Sequence, residues 1–183
     1  MSANSADEIT LTRNVMAVAV PRGDEVILRE GWPVRVTQAL GGSFTVYVRG
    51  NLYRIAGQNA DALGLDPLPE PSLSPDASDE DVEAMVWEQL RTCFDPEIPI
   101  NIVDLGLVYK CEVHKRADDT RAVDIEMTLT APGCGMGDIL VDDVRTKVAL
   151  VPSVEQVQVD LVFDPPWGKE MMSEAARLEA GLF

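Results

Sequence analysis

A single thiol, Cys134, sits inside Met127-Thr-Leu-Thr-Ala-Pro-Gly-Cys-Gly-Met-Gly137, where Gly133, Gly135 and Gly137 clear the neighbouring side chains away from it. Glycines at this spacing permit positive φ and let main-chain N–H groups converge on an anion. Before the turn, Val123, Ile125, Met127 and Leu129 alternate with Asp124, Glu126, Thr128 and Thr130, the pattern of a half-buried strand. After it, Met136, Leu140, Val144 and Val148 recur at every fourth position with Val141 alongside, and Pro152 closes the run, the pattern of a helix. A cysteine at the start of a helix is favoured as thiolate, the form that binds metal, because the partial positive charge there stabilises ionised sulfur. Asp138, Asp142 and Asp143 lie in the first turns of the same helix and oppose that ionisation if they point back toward the sulfur. The direction of the net shift is therefore open at the level of sequence. A plainer reading is a tight turn that tolerates a small residue, since free cysteine is often simply buried. The flanking glycines favour an exposed thiol.

Few other groups could share chemistry with that thiol. Asp95-Pro-Glu-Ile-Pro99 is a stiff loop, because its prolines fix their own φ and restrict the residues before them, so Asp95 and Glu97 are held still. Asp104 is a third candidate. The structural use of Asp95 and Asp104 is to accept main-chain N–H groups and shape turns. Period-two geometry places Thr128 and Thr130 on one face leading to Cys134. Cys93 completes a helical apolar stripe and Cys111 lies within a strand, so both read as structural, while His114 falls in a charged, solvated turn. A stable iron-sulfur cluster usually takes four thiolates and zinc four Cys or His ligands, a set that one exposed thiol and one histidine do not supply. A cysteine-nucleophile enzyme would need a base beside Cys134, and His114 sits near the opposite end of its strand pair.

The elements that must position these groups divide the chain. Strand-like runs at Val15 to Val20, Glu25 to Leu28, Pro33 to Gln38, Ser43 to Arg49 and Leu52 to Ile55 are separated by glycine turns, with Gly50-Asn51 read as a tight hairpin. This predicts a small all-β barrel or roll over residues 1–65. Its aromatic residues, Trp32, Phe44, Tyr47 and Tyr53, supply a core or, alternatively, line a peptide groove. Residues 66–77, rich in Pro, Ser and acid with no base, read as an extended linker. Ser78-Asp-Glu-Asp81 is a capping box opening a helix with the stripe Val82, Met85, Val86, Leu90 and Cys93. Strands at Ile102 to Val113 and Val123 to Thr130, the helix after Cys134 and a strand at Val154 to Phe163 complete a mixed sheet with helices packed over it. A C-terminal helix follows with the stripe Met171, Ala175, Leu178 and Leu182. The fold class is α+β, in the order α-β-β-α-β plus a C-terminal helix over residues 78–183.

Charge follows the same division. The net −16 falls wholly after residue 65, where 25 of the 31 acids meet only 9 of the 15 bases. Such a surface excludes nucleic acid as a natural ligand and suits basic partners. Three cysteines without a C-x-x-C pair do not form a disulfide scaffold, which points to a reducing compartment. The first residues lack a signal-peptide pattern and no apolar run approaches membrane-spanning length, so a cytoplasmic protein without membrane association is expected.

Five blocks carry a family resemblance: Asp95-Pro-Glu-Ile-Pro99, Asn101-Ile-Val-Asp-Leu-Gly-Leu-Val-Tyr109, Met127-Thr-Leu-Thr-Ala-Pro-Gly-Cys134, Val159-Asp-Leu-Val-Phe-Asp-Pro-Pro-Trp167 and Met172-Ser-Glu-Ala-Ala-Arg-Leu178. In this order they resemble the PaaD-like, metal-sulfur cluster assembly domain family, and within it the SufT-type factors of iron-sulfur protein maturation. The resemblance covers the chain from about Ser78 onward, and the preceding segment looks like the extra N-terminal module of SufT-type members. It implies one surface site made by Cys134 as iron or cluster ligand with Asp95, Glu97, Asp104, Thr128, Thr130, Gly133 and Gly135. The implied role is non-enzymatic: an adaptor or transient carrier of iron or a labile iron-sulfur cluster, not stably bound by one chain. Its partners would be the iron-sulfur assembly machinery and client apoproteins. A cluster shared between subunits, which would make the protein a homo-oligomer, or shared with a partner, stays open. So does a pure interaction module without metal.

Overall fold

The computed structural model describes residues 8–95, 98–131 and 135–182. It divides into two compact units, one reaching Glu70 and the other starting at Pro71.

The first unit is a single antiparallel sheet of six strands, β1 (Glu8–Thr10), β2 (Val15–Val20), β3 (Glu25–Leu28), β4 (Pro33–Leu40), β5 (Ser43–Val48) and β6 (Asn51–Ala56), in the order β1-β4-β5-β6-β2-β3. With β1 and β3 at its ends, the sheet is open among the described residues rather than a closed barrel. Alternation sorts its faces: Val15, Ala17, Leu28, Val34, Val46, Val48 and Ile55 are buried together with Leu11, Ala62 and Leu63. The β5–β6 hairpin turns on Arg49 and Gly50, not on Gly50 and Asn51 as the dipeptide suggested, because Val48 pairs with Asn51 and both turn residues take positive φ. Trp32, Phe44 and Tyr53 pack against the core, but Tyr47 is exposed, with the Arg35 guanidinium 5.2 Å from its ring centroid. A 3-10 helix over Gly57–Leu63 follows the strands, anchored where Arg13 pairs with Asp61 at 2.6 Å. The Leu68 N–H donates to the Gly57 carbonyl, so this segment packs with the first unit.

The second unit is mixed α+β, as expected. Helix α1 (Asp79–Leu90) is capped by Ser78, whose hydroxyl accepts the Asp81 N–H while the Asp81 carboxylate accepts the Ser78 N–H. The Ser78 N–H, and then the Ser78 hydroxyl, donate to the Asp81 carboxylate and hold it below its ordinary range. Strands β7 (Val108–Lys115) and β8 (Arg121–Met127) form an antiparallel hairpin, and β9 (Val154–Leu161) lies parallel to β8 after the crossover helix α2 (Gly137–Ala149). A crossover of this length is what a parallel neighbour requires. The core lies between sheet and helices, with Val82, Val86, Leu90, Leu107, Ile125, Met127, Val144 and Val148 fully enclosed. Leu73, within the Pro-rich stretch, also packs against it.

Several boundaries differ from the sequence reading. Residues 102–106 are turns instead of strand, because the Asn101 side chain accepts the Asp104 N–H at 2.9 Å and Gly106 takes a left-handed φ of 72°. Strand β8 stops at Met127: Thr128 leaves the ladder and donates its N–H to the Leu107 carbonyl. His114 lies in β7 rather than in a turn, with Nε2 3.1 Å from Asp124 and 3.5 Å from Glu112. Helix α3 (Glu174–Glu179) starts at its Ser173 cap; Met172 just before it and Ala176 within it are buried, and of the expected stripe Leu182 packs against the core while Leu178 is 57% exposed.

Candidate functional site

The Asp95 turn is built by main chain first. The Cys93 carbonyl accepts the Ile102 N–H at 2.9 Å, Phe94 bridges to Asn101, and the Asp95 N–H reaches the Ile100 carbonyl at 3.3 Å. Against this small closed loop the Asp95 carboxylate turns inward and is 6% exposed. One oxygen accepts the Ile98 N–H at 2.9 Å and the other accepts the Thr130 hydroxyl at 3.2 Å. A carboxylate buried this deeply needs such donors, because desolvation without them is costly. The structure therefore brings together Asp95 and Thr130, whose bond joins the loop after α1 to the segment leaving β8.

Three expected site residues, Glu97, Gly133 and Cys134, lie outside the described residues. Gly135 is described, exposed, and has open space where a Cβ would stand. Thr128 is not on the surface with Thr130. It is 1% exposed and the next residue, Leu129, is buried too, so strand alternation has ended. Gly137 makes room for Leu129, whose Cδ1 would lie 2.8 Å from a Cβ at that position. Asp95 likewise is buried, not a surface carboxylate.

Asp104 belongs to a second cluster. Its carboxylate accepts the Asn101 side-chain amide at 2.6 Å, and its main-chain carbonyl accepts the Ser173 N–H at 2.8 Å. The loop that carries it is braced by the C-terminal segment: Trp167 Nε1 donates to the Leu105 carbonyl at 2.7 Å and the Tyr109 hydroxyl donates to the Pro165 carbonyl at 2.8 Å. Gly106 is required there, since a Cβ would meet the Met171 carbonyl oxygen at 2.2 Å. Blocks far apart in sequence thus fold onto one another through polar contacts.

Sequence reasoning missed the groups that support the Asp95 turn from below. Asp143 and Lys147 of α2 are both buried and paired at 3.0 Å, and the Lys147 ammonium also donates to the Thr92 carbonyl at 2.7 Å. Asp143 thus has a cation beside it, which the expectation that it would oppose a nearby thiolate left out. The available signal was an acid and a base four residues apart within a helix. Arg121, also buried, joins Asp79 at the start of α1 and donates to the Ser153 hydroxyl at 2.9 Å. Cys93 is fully buried, its thiol 3.6 Å from the Gln89 carbonyl. Cys111 is half-buried, and burial first, then Glu83 and Glu112, push its thiol up to about 12. Neither is a reactive thiol. Among the described residues no three His, Cys, Asp or Glu are grouped to hold a metal ion, and no helix is long and apolar enough to cross a membrane.

Residues 83–161 match the model of a family described as iron-sulfur cluster assembly protein. The chain is 49% identical over 104 residues to the Fe-S protein maturation auxiliary factor of Porphyromonas gingivalis, covering 57% of this chain and 91% of that relative. This chain belongs to the SufT-type iron-sulfur cluster assembly family. It is also 44% identical over 88 residues to the Fe-S protein maturation auxiliary factor SufT of Staphylococcus aureus, across 48% of this chain and 96% of the relative. A crystal structure of a domain of unknown function, DUF59, from Bacillus anthracis is 36% identical, covering 57% of this chain and 95% of that one with a TM-score of 0.48. The matched residues 83–161 contain three of the five blocks on which the resemblance rested, and the first residues of the fourth.

Proposed function

We propose that this protein is a non-enzymatic factor in the maturation of iron-sulfur proteins, acting as an adaptor or transient carrier of iron or a labile cluster. The observation that carries the reading is the 49% identity across 91% of a relative named as an Fe-S protein maturation auxiliary factor. In this reading Cys134 is the exposed ligand for the cargo. Asp95 and Thr130 brace the approach to it, since their bond ties the α1 exit loop to the segment that precedes Pro132-Gly-Cys134 in the chain. Glu97, Asp104, Gly133 and Gly135 complete the surface, and Thr128 serves from beneath it. One thiol supplies a quarter of the ligands a stable cluster takes, so the cargo is held briefly, shared between subunits or shared with a partner. The partners are the assembly machinery and client apoproteins, met in the cytoplasm; an acidic surface suits basic patches on them rather than nucleic acid or membrane.

The test is complementation of a deletion strain, read as the activity of a cluster-dependent enzyme. The wild-type chain restores activity, Cys134→Ser does not while keeping its fold, and Cys93→Ser affects stability instead. Full complementation by the Cys134 variant would leave a pure adaptor without a thiol ligand. Failure of the wild-type chain in several such strains would remove the maturation role.

A further inference from the structure

The inward face of α2 is apolar at Leu140, Val144 and Val148, yet Asp143 and Lys147 lie in the same buried surface, with side chains only 12% and 10% exposed. Burying an ion pair is a poor way to gain stability, since apolar residues of similar volume often do as well or better. The pair's other property is reach. The Lys147 ammonium, 3.0 Å from the Asp143 carboxylate, extends to the Thr92 carbonyl at 2.7 Å, on the chain just beyond the end of α1. Three residues later the Asp95 carboxylate holds the Ile98 N–H and the Thr130 hydroxyl. Between these anchors the Cys93 carbonyl accepts the Ile102 N–H, and Phe94 stands opposite Asn101 in the bridge enclosed by that bond and the Asp95–Ile100 bond. The segment from Thr92 to Asp95 is thus short, hydrogen-bonded and held from α2 at one end, so a shift at Thr92 moves the carboxylate at the other.

We propose that Lys147 is a positioning residue: held in orientation by Asp143, it sets the main chain at Thr92 so that Asp95 stays on Ile98 and Thr130. Its relevance to function rests on the reading above that this corner braces the maturation site. The geometric part is tested independently of that reading. In the full chain, the Asp143→Leu/Lys147→Met double substitution keeps volume and removes both charges. Its melting temperature is expected to stay at or above the wild-type value, while amide hydrogen exchange at Ile98, whose N–H reports the Asp95 bond, accelerates at least about tenfold. An Asp143→Asn/Lys147→Gln variant, too short to reach Thr92 from α2, is expected to release Ile98 in the same way and serves if the apolar variant does not fold. Lys147→Arg, which keeps charge and donors, should restore slow exchange. Unchanged exchange at Ile98 in a folded double variant would overturn the proposal and leave the pair as packing. Maturation activity measured on the same variants separates the two ideas: released Ile98 with full activity upholds the positioning of Asp95 and refutes its place in the site.

Discussion

The bond between Thr130 and Asp95 offers a quantitative test, because one partner is a carboxylate only 6% exposed and the other a single hydroxyl at 3.2 Å. A hydrogen bond to a charged group contributes about 1.5–3 kcal/mol, and this length places it at the lower end. Thr130→Val keeps shape and β-branching but removes the donor, so we expect a loss of about 1.5 kcal/mol. Asp95→Ala removes the acceptor of both Thr130 and Ile98 and is expected to cost about 2–4 kcal/mol. The double variant should cost less than the two losses added, by a coupling of about 1 kcal/mol, since the hydroxyl has nothing left to hold once the carboxylate is gone. Urea unfolding followed by NMR signals of residues 98–131 reads the second unit alone. A coupling below about 0.3 kcal/mol would refute the claim that Asp95 and Thr130 act as one device. If the coupling holds, the same variants should impair maturation more than Thr128→Val, whose side chain sits in the core.

Gly106→Ala forces a residue with a Cβ to φ 72° and toward the Met171 carbonyl, and should destabilise the second unit by at least about 2 kcal/mol, with the indole Nε1–H signal of Trp167 shifted. Cys111 sits at about 12 when folded against an ordinary 9.0, so the unfolded chain loses this proton more readily; stability from this thiol is full below about pH 9 and is lost as pH rises toward 12, and Cys111→Ala should flatten that alkaline decline in a pH series of urea melts. Ser78→Ala removes the N-cap of α1 and should cost about 1 kcal/mol, seen as a lower urea midpoint with unchanged slope. A fragment from Pro71 onward, keeping Leu73 on its core, should unfold cooperatively by itself; a fragment with an undispersed NMR spectrum would show that the units depend on each other.

What could be read from the sequence is what repeats along one element or between near neighbours. Alternation in β2, the four-residue stripe of α2 and the Ser78–Asp81 box follow from backbone periods and from bonds within a single helical turn, so they need no knowledge of the rest of the chain. The buried place of Cys93 follows for the same reason. The five blocks likewise sufficed to place the chain in its family. Contacts between elements obey no such period. Thr128 continues the alternation in sequence but not in space, because Met127 is the last residue of β8 and Leu129 then turns into the space Gly137 leaves. Asp143 and Lys147, four apart on a helix, read as an exposed pair; in the fold they are buried, and the chain past α1 presents the Thr92 carbonyl where the ammonium reaches it. Asp95 reads as a surface carboxylate until Ile98 and Thr130 supply the donors that make its burial tolerable. The sequence alone thus determined most of the helices and strands, though not where several of them begin and end, and which family they compose. The tertiary structure decided which polar groups face inward, because burying a charge depends on partners that only the fold brings within hydrogen-bond distance.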